Sequence, residues 1–422
     1  MSTLVQELAL LETRGLVRVT LERAKPIVRF KHALTREATF NSILHSRRVE
    51  LHRAAAQTLM ELNTAPDLEM ALTIAEHWQR GNKDARALET ILPHAQNLIY
   101  TGRSISLTKL LTQLQRENLN ETEQRDLDMA LADAHAARGE YELAREVYER
   151  VLQIDPTSDI RARVLHGLGV ANYHLGNYAR AIEYHEASLA LAIEKEDVRQ
   201  QAQALGGLGV TYRELRDLEH AKEFFVQSHS LGINLNDHLI IANAEYNLAL
   251  LSYDQRAFAE AIHGANRALE LYQELHNISY AAISLSVIGA SYFELNQLDK
   301  AGSYYKRAIK MCLEAGNYYY AIAGLVNLGE LYLKQGNLEQ AAQTYTESLR
   351  YLDIAKNDRI LMYAQLGLAQ VSFEQSRLQQ AHAHATNALE IAVQLDLAEQ
   401  REQATQILDK VALARSNRAS NV

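Results

Sequence analysis

Cysteine, proline and tryptophan are scarce: one, four and one in 422 residues. A single cysteine, Cys312, excludes an internal disulfide and a cysteine-built zinc site. It points to a reducing compartment, so a cytoplasmic protein is expected. With so few prolines and a richness in Ala, Leu, Glu and Gln, long stretches are free of helix breakers, which favours helix. No apolar run approaches bilayer-spanning length, so no membrane partner is expected. Glu7 and Glu12 interrupt the first apolar stretch, which argues against a signal peptide. No GxxxxGK[ST] phosphate loop occurs, so neither ATP binding nor hydrolysis is assigned. There are 16 histidines but no HExxH and no Cys/His cluster. His382 and His384 of "HAHA" fall on nearly opposite helix faces, a poor chelate. No nucleophile, base and orienting group can be nominated together. The expectation is a non-enzyme without metal or cofactor.

What the chain has is self-similarity. "GEYELA" ends at Ala144, "GNYARA" at Ala181, "RDLEHA" at Ala221, "RAFAEA" at Ala261, "NQLDKA" at Ala301, "GNLEQA" at Ala341 and "SRLQQA" at Ala381. The first spacing is 37 residues and the others are 40. Three residues before each alanine stands Tyr141, Tyr178, Leu218, Phe258, Leu298, Leu338 or Leu378. Twelve residues before it stands a small residue: Ala132, Gly169, Gly209, Ala249, Gly289, Gly329 or Ala369. A small residue lets two antiparallel helices approach, and the apolar turn residue packs between them. One such hairpin cannot bury its own apolar face, so hairpins must stack into a solenoid. The pattern resembles the tetratricopeptide repeat, as in "LGVANYHLGNYARAIEYHEASL". Its period exceeds the basic 34 residues, enough to lengthen the helices by nearly two turns in all. The fold expected is all-α: a right-handed superhelical solenoid of tetratricopeptide repeats with a small N-terminal winged-helix-like unit. The glycines of "GGLGV" at 206–210 then sit in a repeat helix and not in a dinucleotide-binding turn.

Four segments follow: a head at 1–62, degenerate repeat-like helices at 66–120, seven repeats at 121–395, and a capping helix with a frayed tail at 396–422. The cap is predicted from Ala404, Ile407, Leu408, Val411 and Ala412 on one face of a helix, and the tail from "SNRASNV". In the second segment, Pro93 is expected to kink a helix and Ser104 to cap one.

The head differs in charge from the rest. Residues 1–62 hold ten Lys/Arg against six Asp/Glu, in a chain whose net charge is -9. "LVQELALLETRG" reads as a helix closed by Gly15. Val17 and Val19, then Val28 and Phe30, alternate with polar residues as the apolar face of a hairpin. Two helices follow. The segment "FKHALTREATFNSILHSRRVELHRAAAQTL" carries Phe30, His32-Ala33-Leu34, Phe40, Ile43-Leu44, Arg47-Arg48 and Leu51-His52. It is similar to the winged-helix linker that joins the ATPase module to the repeats in bacterial AAA/STAND-type signalling ATPases, including cyclase-associated ones. The long repeat form also resembles the sensor domains of such proteins and of bacterial transcription activators. The ATPase module itself is absent from this sequence.

The resemblance implies a non-catalytic protein- or peptide-binding scaffold, the sensor or regulatory part of a signal-transduction ATPase, with an ATPase or cyclase module among its partners. The alternative is the sensor part of a transcription activator whose basic head contacts DNA. Glu37 and Glu50 interrupt the helices that would enter a groove, so a nucleic-acid partner is not expected. Carried onto this sequence, the groove positions of the repeat are His166, Tyr173, His174, Arg213, Tyr246, Asn247, Tyr253, Phe293, Asn327 and Glu330. Aromatic rings and Arg are the residue types that anchor partners. Asn247 and Asn327 offer both a donor and an acceptor to an extended peptide backbone.

Overall fold

The computed structural model describes residues 2–22, 25–154, 160–352 and 357–420. The chain divides into two compact units, Met1–Thr90 and Ile91–Val422. In the first, the helix Ser2–Thr13 ends as its sequence requires. Gly15 takes φ +71°, the Gly15 amide donates to the Glu12 carbonyl, and the Leu16 amide donates to that of Leu11. Strands Val17–Glu22 and Lys25–Phe30 pair antiparallel, with Val17 opposite Phe30 and Val19 opposite Val28. Val17 is buried, but Val28 and Phe30 are 41% and 42% exposed, so this face of the hairpin is only partly covered. Helices Ala33–Ser42, His45–Leu62 and Leu68–Arg80 follow. Trp78 is buried, donates its indole N–H to the Met60 sulfur at 3.3 Å, and carries the Arg86 guanidinium on its ring. The head is thus two strands among helices, and a winged helix is not established by it.

The second unit is helical throughout its described residues. After the helix Asp84–Tyr100, which runs on through Pro93, comes Ser104–Thr112. Ser104 does not cap that helix as anticipated. It is the first helical residue and is buried, and the cap position falls to Arg103, which makes no side-chain cap bond. Seven hairpins then pair Glu121–Ala137 with Tyr141–Ile154, Arg161–His174 with Tyr178–Glu194, Val198–Glu214 with Leu218–Leu235, His238–Asp254 with Phe258–Glu274, Ile278–Glu294 with Leu298–Glu314, Tyr318–Lys334 with Leu338–Leu352, and Asp358–Glu374 with Leu378–Gln394. The closing helix, Ala398–Ser420, buries Ala404, Ile407 and Val411. It runs through most of the segment expected to fray. Residues 421–422 lie outside the described residues.

Two local devices set the turns. Between the helices of a hairpin, one residue takes the left-handed conformation: Gly176, Arg216, Arg256, Asn296, Gly336 and Ser376. The next amide reaches back to a carbonyl five residues earlier, as Asp217 does to Tyr212 and Arg377 to Ser372. Between hairpins, an Asp or Asn caps the next first helix. Asp197, Asp237, Asn277, Asn317 and Asn357 each accept an amide N–H from three residues on.

The repeat's small residues work by size matching. Each repeat alanine from Ala144 to Ala381 is fully buried. Sixteen residues after the small position stands its partner on the second helix. A Cβ on Gly169 would lie 2.5 Å from the His185 ring, on Gly209 2.5 Å from Phe225, on Gly289 2.8 Å from Tyr305 and on Gly329 2.7 Å from Tyr345. Where the small residue is Ala249 or Ala369, the matching residue is Ala265 or Ala385, in the same core cluster. At Gly169, Gly209, Gly289 and Gly329 a ring fills the gap, and Ala249 and Ala369 are matched by alanine. In the first hairpin, by contrast, Ala132 is followed sixteen residues on by the buried Tyr148.

The array also meets itself. The Gly102 backbone lies so close to that of Ala315 that a Cβ there would be 2.2 Å from the Ala315 Cα. Tyr319 packs edge-on against Tyr141, with ring centroids 6.1 Å apart, and against His174, at 6.0 Å. Arg359 pairs with Glu214 at 2.8 Å. The superhelix thus completes a turn and touches its own start.

Candidate functional site: the inner face of the repeat array

First helices pack on the first helices of neighbouring repeats, and second helices make no comparable approach. The first helices therefore lie on the inside of the curve, and their free faces line an interior space. Tyr280 shows how enclosed that space is. It is 39% exposed, yet surrounding protein raises its hydroxyl pKa above the ordinary value.

The ten sequence-predicted residues divide by environment. His166 packs against His185 with ring centroids 5.1 Å apart, and burial lowers its pKa to about 4, so it is held neutral. His174 stacks on Tyr141 at 3.9 Å and 7°, and burial lowers it to about 3. Tyr173 lies against His174 and Tyr178, and burial raises its hydroxyl pKa. His174 and Tyr173 thus belong to the closure around Tyr319, whereas His166 packs within its own hairpin. Arg213 is tied to Asp254 at 3.4 Å. Tyr246 is raised by burial and feels both Arg213 and Tyr280.

Tyr253, Phe293 and Glu330 converge with two residues not anticipated, Glu294 and Lys334. The Tyr253 hydroxyl is raised to about 12, by burial first and then by the charges of Glu294 and Glu330, and it donates a hydrogen bond to Glu294. Glu330 is raised by burial and by Glu294. Lys334 sits over the Phe293 ring, 4.2 Å from its centroid. The cluster thus gathers two rings, two carboxylates and an ammonium from three successive repeats. Asn247 and Asn327 are half-buried at equivalent positions of first helices two repeats apart.

Sequence reasoning missed Glu214, Tyr319 and Arg359, and gave Tyr141 and Tyr178 only as turn residues that pack within their own hairpins. The triple tyrosine at 318–320, where the repeat elsewhere varies freely, was the available signal for Tyr319. Glu214 and Arg359 are 145 residues apart, so no local pattern joins them.

Residues 242–420 match the family model of the MalT-like TPR region, and 124–194 and 160–234 match that of the tetratricopeptide repeat. The hairpins are tetratricopeptide repeats. Among curated proteins the chain finds no significant match. Among solved structures, this tetratricopeptide array resembles a Rap protein complexed with Competence and Sporulation Factor, at 18% identity and TM-score 0.56, over 86% of this chain and 98% of that one. It also resembles the Rap conjugation gene regulator of plasmid pLS20 in complex with the Phr* peptide, at 14% identity and TM-score 0.55, again over 86% and 98%. A third likeness is to a Signal Transduction ATPase with Numerous Domains that has a tetratricopeptide repeat sensor, from Pyrococcus horikoshii, at 15% identity and TM-score 0.50. It covers 95% of this chain but 60% of that protein. At these identities the likeness is one of fold.

Proposed function

We propose that this chain is a non-catalytic, cytoplasmic scaffold that binds a peptide or an extended protein segment on the inner face of its tetratricopeptide repeats. In this reading it is the sensor part of a signal-transduction ATPase. The observation that carries it is the convergence of Tyr253, Glu294 and Glu330 with the Lys334–Phe293 pair on first helices of successive repeats. Asn247 and Asn327 are half-buried on two of the same helices. Rings provide rigid contact area, and amides satisfy an extended backbone. Two structures of similar fold hold a named peptide or factor, and a third is a tetratricopeptide sensor attached to an ATPase. The head would act as a winged-helix linker. Its exposed Leu44, Leu62 and Phe30 would be covered by an ATPase or cyclase module.

Selection of binders from a displayed library of unstructured peptides tests the reading. Tyr253→Ala and Phe293→Ala are expected to weaken the selected peptides at least about tenfold while leaving the melting profile nearly unchanged. If Tyr253→Ala instead destabilises the fold as strongly as Gly289→Leu does, Tyr253 is core and the inner face is not the site.

A further inference from the structure

A slot of about 440 Å³ opens between the two helices of the fourth hairpin, His238–Asp254 and Phe258–Glu274. That size suits a small molecule. Glu245 lies in its wall and pairs with Arg267 and His229, both on second helices, so the slot belongs to the outer side of the hairpin.

The neighbouring repeats show what fills this place elsewhere. Ser252 and Gly264 line the slot. Forty residues earlier the same two positions are Tyr212 and Phe224, whose ring centroids lie 5.5 Å apart. Forty residues later they are Tyr292 and Tyr304, at 5.6 Å. The other four repeats each carry one ring at the matching positions: His135, Tyr184, Tyr332 or His384. Only the fourth repeat has none. Its helices have not closed up to compensate. A Cβ on Gly264 would lie 3.2 Å from that of Ala249, and one on Gly289 would lie 3.3 Å from that of Tyr304. The backbones thus approach alike with and without the rings, and ring-sized space is left over.

The rim sets the charge of an occupant. In the fifth repeat Lys300 holds its ammonium 5.0 Å from the centre of the Tyr292 ring. Its counterpart forty residues earlier is Glu260, which lines the slot. An ammonium suits the electron-rich face of a built-in ring. A carboxylate in that place suits a ring that brings a positive charge of its own. Arg267 is held by Glu245, and Glu260 forms no ion pair among the described residues, so it is the free carboxylate of the slot.

We infer that this slot binds an arylalkylamine, an aromatic ring bearing an ammonium on a short chain. The ring takes the space between Ser252 and Gly264, against Leu248 and Ala249, and the ammonium faces Glu260. The occupant supplies from outside the ring that every other repeat builds from its own residues. Because it touches both helices of the hairpin, it binds the folded array and stabilises it. The inference is independent of what the inner face binds.

The test is calorimetric titration of the full chain with phenethylamine, tyramine and tryptamine, alongside 3-phenylpropionate, which keeps the ring and reverses the charge. At least one amine is expected to bind saturably and raise the melting temperature. The propionate should bind at least about tenfold more weakly. Ser252→Tyr writes in the residue found at Tyr212 and Tyr292. It should melt no lower than the parent and lose at least about tenfold in affinity, because its ring occupies the slot. Glu260→Lys changes an exposed residue to the one found at Lys300. It should melt like the parent and also lose at least about tenfold. If Ser252→Tyr folds poorly, Glu260→Lys decides. Three results overturn the inference: no saturable heat with any amine, equal binding of 3-phenylpropionate, or undiminished binding by either folded variant.

Discussion

At the scale of single residues, sizes are paired in the hairpins after the first. Gly289 faces the Tyr305 ring, whereas forty residues earlier Ala249 and Ala265 share a core cluster. Adding bulk at Gly289 drives atoms into that ring. Gly289→Leu is expected to cost about 1–3 kcal/mol, read from urea denaturation. Gly289→Ala should cost less when Tyr305 is already alanine, with a coupling of about 1 kcal/mol in a double-mutant cycle. Simple additivity would mean that the ring has room to move. The glycine positions were legible in the sequence because they recur. Their ring partners were not singled out, because His185, Phe225, Tyr305 and Tyr345 share a position but not a residue type.

At the scale of helices and turns, the chain combines a favourable device with a strained one. Asp237 accepts the Leu239 and Ile240 amides and pairs with Arg199 at 2.8 Å. Asp237→Ala is expected to lower stability by about 1–2 kcal/mol, and Asp237→Asn by much less. Ser376, by contrast, occupies a left-handed turn at φ +58° without being glycine. Relief of that strain is worth about 1–2 kcal/mol, against about 0.5–1 kcal/mol for glycine's added freedom in the unfolded chain. Ser376→Gly should therefore stabilise by roughly 0.5 kcal/mol in the same denaturation assay. Helix boundaries were readable to within a residue or two because turn chemistry repeats. Ser104 misled because its hydroxyl looked like a cap, whereas it lies one residue inside the helix and is buried.

At the scale of the molecule, titration and closure give two further expectations. Burial lowers His166 to about 4 and His174 to about 3, and it lowers His185 well below its ordinary value. His52 and His77 are also lowered, by burial and then by each other or by Arg80. In the unfolded chain these imidazoles take protons near pH 6.5, and in the folded chain they do not. The unfolded state thus binds more protons between about pH 6.5 and 4, so stability is full above that window and falls as pH drops through it. Denaturation midpoints should fall steeply over that range, and His174→Phe should flatten the fall. Closure rests on Tyr319 and on the Arg359–Glu214 pair. Tyr319→Ser with Arg359→Ala should raise the radius of gyration in small-angle scattering while leaving the helical circular dichroism unchanged. An unchanged radius would show that stacking alone sets the curvature. The solenoid could be read from the sequence because each repeat contacts its neighbour. The contact of Tyr319 with Tyr141 could not, because it depends on the summed rotation of every repeat between them.

That summed rotation has an evolutionary consequence. An open solenoid tolerates the duplication or loss of a repeat, since only one junction must be remade. Here the Gly102 backbone lies against Ala315, and the Tyr319 ring against Tyr141 and His174. Inserting or deleting one forty-residue unit between them would carry Tyr319 out of reach of both rings and move Ala315 away from Gly102. The number of repeats between those contacts is therefore fixed by geometry, and lineages derived from this chain should diverge by substitution within repeats, not by changing their count.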